Sequence, residues 1–318
     1  MKAFRDRITN LNLDQLPLLT ASEQTRGSWA REIESLEMVP DLYKDFYSTK
    51  LNGNENFPYS VITPKFHGFL RQENEKLICS LNNKIFVLEK TNDQLVEYCY
   101  PIQDINYVEA GSILLKAWLR INGVANDGSS TSSTLRFNTV TEYMFHPFID
   151  QIRAAEVDID HPGSSSAPEK FDYLSEIDFK FMNYARNAFS PAEHVVDHVY
   201  QPEIRSKIIS IFGKSLYRTS SPTHITILTE KVLIFIKDTG RDNANNNRRF
   251  GGIWLFIPLE RIISGSLIEK GDDLLEFSLR LAENERINIL FAEEKKSEIE
   301  YFQNRVLELS GTNPTSQL

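Results

Sequence analysis

The chain has few cysteines, no long apolar run and no excess of basic residues. Only two cysteines occur in 318 residues, and apolar runs such as 232–236 are far shorter than the roughly 20 residues that cross a bilayer. The opening stretch MKAFRDRITNLNLDQ lacks the apolar core of a secretory signal. We therefore expect a soluble, cytoplasmic protein in which Cys79 and Cys99 are reduced core thiols.

The charge balance is acidic, with 44 acidic and 35 basic residues and a formal net charge of −9. This balance disfavours nonspecific binding to nucleic acid or anionic lipid, unless basic residues cluster locally. The hydrophobic share of 41% is that of a globular protein, and the length suffices for two domains of ordinary size.

Motifs of the common enzyme classes are also missing. The sequence has no Gly-rich phosphate loop, no Gly-x-Ser-x-Gly elbow and no Cys/His nucleophile pair. The segment EHVVDH at 193–198 would place His194 and His198 on one face of a helix or strand, with Glu193 and Asp197 nearby. No second motif supplies a third ligand, so a metal-dependent enzyme using His194 and His198 is the least favoured alternative. We expect no enzyme activity, no catalytic residue, no metal and no cofactor.

A repeated motif gives the first positive signal. The stretch YPIQDI at 100–105 recurs as IPLERI at 257–262. Each copy follows two strand-like runs separated by a polar dipeptide that suits a tight hairpin, Asn82-Asn83 in one half and Thr229-Glu230 in the other. Another strand pair follows each copy: 114–121 with 133–138, and 274–282 with 286–292. The pattern predicts a duplicated domain.

Each half ends in a change from strand to helix periodicity. In the second half, apolar residues recur at helical spacing, Ser297 and Glu300 have the spacing of a capping box, and Gly311 can end the helix. The apolar positions are Ile299, Phe302, Val306 and Leu309. The first half has a similar apolar stripe at Phe145, Phe148 and Ile152. Thr139 and Glu142 have the spacing of a capping box, and Pro147 lies near the expected helix start. Both stripes predict helices packed on the core.

These patterns divide the chain into five segments. Helical spacing of Trp29, Ile33 and Leu36 predicts an N-terminal helix, and the Ser/Pro/Gly-rich composition around 163–168 predicts a linker. The predicted segments are an N-terminal helical segment 1–49, a first domain 50–157, a linker 158–170, a second domain with a helical insertion 171–311, and a tail 312–318.

The succession of antiparallel strands followed by one helix resembles the pleckstrin-homology-like (PH-like) superfamily in its bacterial PH or GRAM-type form. The resemblance covers roughly 50–155 and 190–310, and the chain, with FPYSVITPKFHGFLRQENEKLICSLNNKIFVLEK at its front, is similar to bacterial proteins of no assigned activity. It implies an α+β, mainly β fold: two tandem bent antiparallel barrels, each closed by a C-terminal helix. It also implies binding rather than catalysis.

Basic residues supply the candidate ligand site. PH domains that bind phosphoinositides usually place a Lys and a Lys/Arg-x-Arg around the first hairpin loop, but RQENEK at 71–76 departs from this pattern. The segment 205–218 reads either as a basic amphipathic helix, with Ile208, Phe212 and Leu216 on one face, or as a strand and its connection. The candidate ligand-binding residues there and in the Asn-rich loop are Lys207, Lys214, Arg218, Arg241, Arg248 and Arg249.

Three kinds of ligand follow from these observations. The leading hypothesis is a noncatalytic scaffold that recognises a protein or peptide, along an exposed barrel edge. The alternative is a peripheral membrane protein that binds anionic lipid headgroups through basic loops of the second domain. Strand aromatics could stack on single-stranded nucleic acid, but strand alternation predicts that most face a core, so no nucleic acid is expected. These aromatics are Tyr100, Trp118, Phe137, Trp254 and Phe256.

Overall fold

The computed structural model describes residues 27, 29–51, 56–67, 72–91, 94–153, 168–189, 193–211, 214–239, 251–271 and 273–312. The fold is α+β and mainly β, built from antiparallel sheets, which confirms the predicted class. None of the helices in this part of the chain is long and apolar enough to cross a membrane.

Among the described residues, the first half contains ten strands and two helices. The strands are β1 Arg31–Ile33, β2 Ser60–Thr63, β3 Phe66–His67, β4 Gln72–Glu73, β5 Lys76–Leu81, β6 Lys84–Thr91, β7 Gln94–Pro101, β8 Ile105–Ile113, β9 Lys116–Val124 and β10 Ser130–Asn138. The helices are α1 Asp41–Lys50 and α2 His146–Ile152.

The second half contains nine strands and three helices among the described residues. The helices are α3 Leu174–Ile177, α4 Phe179–Arg186 and α5 Lys296–Leu309. The strands are β11 Val195–Gln201, β12 Ile204–Ile211, β13 Lys214–Ser221, β14 His224–Thr229, β15 Val232–Asp238, β16 Gly251–Pro258, β17 Ile262–Gly271, β18 Leu274–Leu281 and β19 Arg286–Ala292.

The two halves repeat one order of elements. Each has a strand, an inserted hairpin, three strands, a 3-10 turn, three more strands and a closing helix. The proline motif occupies the same conformation twice, since Pro101 has φ −57° and ψ 135° while Pro258 has φ −57° and ψ 131°. In both copies the next residue donates its N–H to the preceding hairpin turn: Ile102 to the Asn83 carbonyl (3.2 Å) and Leu259 to the Lys231 carbonyl (2.9 Å).

The two halves share one sheet. A seven-stranded sheet has the order β10-β9-β8-β16-β15-β14-β11, and its central β8–β16 ladder runs from Ile113 opposite Gly251 to Val108 opposite Phe256. Gly251 has φ 153°, and a Cβ there would lie 2.0 Å from the Ser112 carbonyl oxygen. Only glycine allows this approach between the two strands.

The remaining strands form smaller sheets. One sheet has the order β1-β2-β5-β6-β7 and another β17-β18-β19, while β3–β4 and β12–β13 are separate two-stranded hairpins. Among the residues that the structure describes, no sheet closes on itself, so the closed barrels expected from the sequence are not seen.

The core is continuous across the β8–β16 ladder. Its largest apolar cluster combines first-half residues such as Val108 and Phe148 with second-half residues such as Phe181 and Ile234. Cys79 lies in a separate cluster beneath α1, and both cysteines are free and buried, which confirms the prediction of core thiols. Burial raises the pKa of the Cys79 thiol to about 12.

One helix prediction is wrong in its position, and one ambiguous segment is resolved. The helical spacing of Trp29, Ile33 and Leu36 does not mark a helix, because Arg31–Ile33 pairs with β2 as a strand. The N-terminal helix instead begins at Asp41, directly after Pro40. The segment 205–218 forms the antiparallel hairpin β12–β13, which confirms its strand interpretation and excludes the helical one. Its isoleucines are β-branched and favour strand over helix.

The predicted ends of the elements are right in part. Asn82 and Asn83 have φ 52° and 60° and close the β5–β6 hairpin, and Gly311 has φ 70° just after α5, as predicted. The second hairpin turn lies one residue later than predicted, at Glu230-Lys231, because Thr229 is the last residue of β14. Both strand pairs are confirmed, but the sequence missed a third strand beside each pair, β8 and β17.

Neither predicted capping box forms. Ser297 lies inside α5, and no side chain caps that helix. In the first half, the Asn138 side chain accepts the Val140 N–H, and a 3-10 turn over Thr139–Phe145 precedes α2. Pro147 lies in the first turn of α2. The apolar stripes are buried as predicted except for Leu309, which is 37% exposed.

Candidate functional site

A cleft of about 560 Å³ opens over the β8–β16 junction. Strands β8 and β16 supply its floor, α2 and the preceding 3-10 turn form one wall, and α4 with the residues after it forms the other. The cleft therefore draws side chains from both halves of the repeat. Its volume is in the range of sites that hold a small molecule or a peptide side chain.

An aromatic pair forms one side of the cleft. Tyr184 of α4 and Trp254 of β16 are both half-buried, and their rings meet edge to face with centroids 4.8 Å apart. Gly252 makes room for this pair, because a Cβ there would lie 2.7 Å from the Tyr184 ring and 2.8 Å from the Trp254 ring. Desolvation is the largest cause that raises the pKa of Tyr184 to about 12, so its hydroxyl stays neutral.

The opposite wall is acidic. Glu142 belongs to the 3-10 turn and is half-buried, while Asp150 and His146 lie on α2 and are exposed. The Glu142 carboxylate makes no hydrogen bond or salt bridge with any residue that the structure describes. Burial raises its pKa, and the neighbouring His146 acts in the opposite direction.

A buried ion pair lies at the base of the cleft. Arg153, at the end of α2, donates from Nε to Oε1 of Glu193 at 3.2 Å, and its terminal nitrogen contacts the other carboxylate oxygen. The guanidinium also lies 4.7 Å from the ring centroid of Phe256. Glu193 thus pairs with Arg153, and the other charged side chains in the described cleft lining are Glu142 and Asp150, beside the titratable His146.

The histidine pattern does not assemble a metal site. His194 is exposed and precedes β11, whereas His198 lies within β11 with Nε2 3.0 Å from the Tyr173 hydroxyl. A bulge between Val195 and Asp197 breaks the alternation that would align the two histidines. No group of three His, Cys, Asp or Glu side chains in the described ranges could hold a metal ion.

Three of the six basic residues predicted to bind a ligand lie within the described residues. Lys207 lies in β12 opposite Tyr217, while Lys214 and Arg218 lie four residues apart in β13. Arg218 is exposed. Arg241, Arg248 and Arg249 lie outside the described residues.

The expected first-half loop is only partly described. Lys76 at its end is engaged, because its ammonium lies 3.1 Å from the Glu89 carboxylate and donates to the Thr134 carbonyl at 2.9 Å. This lysine contributes to a stable contact between strands rather than to an open cationic loop.

Most of the strand aromatics are core residues, as predicted. Tyr100, Phe137 and Phe256 are buried, and Trp118 donates its indole N–H to Glu109 at 2.8 Å. Trp118 and Trp254 are half-buried, and sequence reasoning missed the position of Trp254 in the cleft. The signal was the Gly251-Gly252 pair just before it, since glycine inside a strand often marks a close approach.

No protein-family model matches this chain, and a search of curated proteins found no related sequence.

Proposed function

We propose that this chain is a noncatalytic binding protein built from two PH-like halves, and that its junction cleft holds a segment of a partner protein or a peptide. The repeated element order supports the tandem arrangement, because each half has two runs of three antiparallel strands followed by a helix. The size of the cleft and its position between the halves support a binding role.

The Tyr184–Trp254 pair is the observation that carries the proposal. Tryptophan and tyrosine are the side chains most enriched at binding hot spots, where a half-exposed ring fills a partner's pocket or accepts its side chain. Here both rings line the same cleft, and Gly252 maintains the space that they need.

Selection of peptides from a random displayed library on the intact chain tests this proposal. Peptides recovered from the selection should lose binding to a Trp254→Leu variant by about thirtyfold, the loss typical of a hot-spot residue. Tyr301→Ala is the matched control, because Tyr301 is an aromatic residue on α5 that is 63% exposed and outside the cleft. Equal binding to the intact chain and to Trp254→Leu would contradict the proposal.

A second candidate function is binding to anionic membranes through the β12–β13 hairpin. This hairpin pairs only with itself among the described strands, and its register sets Lys214 and Arg218 on alternate positions of one strand. Tyr217, between them, is 60% exposed. Such a basic, partly apolar hairpin suits a headgroup region.

Sedimentation with phosphatidylserine-containing vesicles tests the membrane alternative. If it holds, the intact chain binds at low salt, and Lys214→Glu with Arg218→Glu removes the binding. A second variant, Arg248→Glu with Arg249→Glu, reverses two charges of the Asn-rich loop and shows whether that loop contributes to vesicle binding. Absence of binding at low salt would exclude this alternative.

A further inference from the structure

We infer that the junction cleft takes the cationic side chain of a lysine or arginine, held between the Tyr184–Trp254 pair and the carboxylates of Glu142 and Asp150. This inference rests on the proposed binding function and names the chemistry of the partner segment: a basic peptide.

Neither carboxylate of the acidic wall has a hydrogen-bonded or salt-bridged cation among the described residues. Glu142 and Asp150 line the cleft, and the exposed His146 on the same wall interacts with Glu142 electrostatically, without a hydrogen bond. Glu142 is half-buried, so its charge has lost part of its hydration, and no described side chain compensates for this loss with a hydrogen bond. A ligand cation would supply that compensation, because charge-assisted hydrogen bonds are the strongest that a carboxylate accepts.

The two described cations beside the cleft are already paired. Arg153 pairs with Glu193, and Lys180 of α4 lies 2.9 Å from the Asp238 carboxylate. The described lining therefore leaves the negative charges of Glu142 and Asp150 to an approaching ligand. Complementary charge of this kind sets specificity and orientation more than it sets total affinity.

The aromatic pair is suited to the same ligand. A cation within about 6 Å of a ring centroid is attracted by the ring quadrupole, most strongly at tryptophan. Tyr184 already accepts such a contact, since the Lys180 ammonium lies 5.3 Å from its ring centroid. Trp254 has no cation over its ring among the described residues and lines the same cleft as Glu142.

The form of the cleft favours a side chain that arrives on a peptide. The cleft is open along one side, and its volume exceeds that of one lysine side chain. Asn187 on its rim is exposed, and no described residue bonds its side-chain amide, which offers one donor group and one acceptor to a peptide backbone.

Titration of the intact, nitrogen-15-labelled chain with three short model peptides tests the inference. The peptides share a glycine frame and carry lysine, arginine or glutamate at the centre. The chain has three tryptophans, so the Trp254 indole signal can be assigned with a Trp254→Phe variant. We expect this signal to shift with the lysine and arginine peptides and to stay in place with the glutamate peptide.

Variants of the acidic wall identify the group responsible. Glu142→Gln should weaken binding of the lysine peptide about tenfold, since it removes a charge-assisted bond. Asp150→Asn is a second variant, and because Asp150 is exposed, it keeps the test valid if Glu142→Gln perturbs folding. Glu300→Gln is the matched control, because Glu300 is an exposed acid on α5 outside the cleft and should change nothing.

The outcomes separate this inference from the proposed function. Equal response to the glutamate peptide, no response of Trp254 to any peptide, or full binding by both Glu142→Gln and Asp150→Asn would overturn the inference. If library selection still recovers Trp254-dependent peptides without basic residues, the binding function stands and the cation preference falls. If the library yields no Trp254-dependent binder and no model peptide shifts the Trp254 signal, the proposed function and the inference fail together.

Discussion

His224 shows how burial controls the charge of a single side chain. It is fully buried at the start of β14, with its ring edge to face against Phe235 and Phe291. Its Nδ1 lies 3.0 Å from the Pro222 carbonyl, while its Nε2 has no partner in the described structure. Desolvation is the largest cause that lowers the pKa of His224 to about 4, so the ring is neutral in the folded protein at pH 7.

This pKa predicts acid destabilisation. The unfolded chain has the higher histidine pKa and binds the proton first, so stability is present above about pH 6.5 and declines as the pH falls towards 4. We expect the free energy of unfolding to be about 2 kcal/mol lower at pH 5 than at pH 7 from this residue. Urea unfolding at both pH values measures it.

Two variants isolate the contribution of His224. His224→Phe keeps an aromatic ring in the site and should remove most of this pH dependence. His146→Asn is the control, because His146 is exposed and its replacement should leave the pH dependence nearly intact. An unchanged pH slope in His224→Phe would show that other groups dominate acid unfolding.

Single residues were predictable from sequence where their role is local. Asn82-Asn83 and Gly311 were identified because a tight hairpin and a helix end require φ above zero at those positions. Glu142 and Trp254 were not identified as residues of one cleft, because they are more than a hundred residues apart and belong to halves that the β8–β16 ladder joins. No local pattern encodes such a long-range arrangement.

At the scale of elements, periodicity was informative only where it was unambiguous. Helix α5 was predicted because four apolar residues recur over several turns, and three of them are buried. The segment 205–218 was ambiguous, because Ile208, Phe212 and Leu216 fit a helix while the neighbouring residues pair as a hairpin. The segment is a hairpin because its two strands pair with each other, and the spacing of apolar residues in the sequence does not reveal which strands pair.

The Arg153–Glu193 ion pair connects an element of each half. Arg153 follows α2, Glu193 precedes β11, and both side chains are buried. We expect Arg153→Met alone or Glu193→Leu alone to lower the free energy of unfolding by about 3 kcal/mol, because each removes the ion-pair partner of a buried charge. Guanidinium-induced unfolding measures the loss.

The double variant tests the cause of that loss. Arg153→Met combined with Glu193→Leu removes both charges and should recover most of the lost stability. Arg305→Met is the control, since its pairing with Glu308 is exposed on α5 and contributes little. Additive losses in the double variant would show that packing of the side chains, rather than their charge pairing, stabilises the junction.

At the scale of the whole molecule, the repeated order of elements was predictable but the connection between the two halves was not. The proline motif and its flanking strands predicted two similar halves, and both copies have nearly the same backbone angles. The linker composition suggested two separate bodies. The β8–β16 ladder instead joins them in one sheet with a common core, and Gly251, which permits that ladder, indicates a close approach in the sequence without indicating which strand approaches.

The shared sheet predicts that the two halves unfold together. Separation of the halves would expose the pairing edges of β8 and β16 and an apolar cluster to which both halves contribute. We therefore expect calorimetry of the intact chain to show one transition, with a calorimetric enthalpy equal to the van't Hoff enthalpy.

A fragment 171–311 made alone should lack cooperative unfolding or aggregate, since its β16 edge is open. Co-expression with a fragment 1–157 should restore a folded complex if the ladder reforms. Two resolved transitions in the intact chain, or a cooperatively folded 171–311 fragment, would mean that each half stabilises itself and that the ladder is only a contact between independent domains.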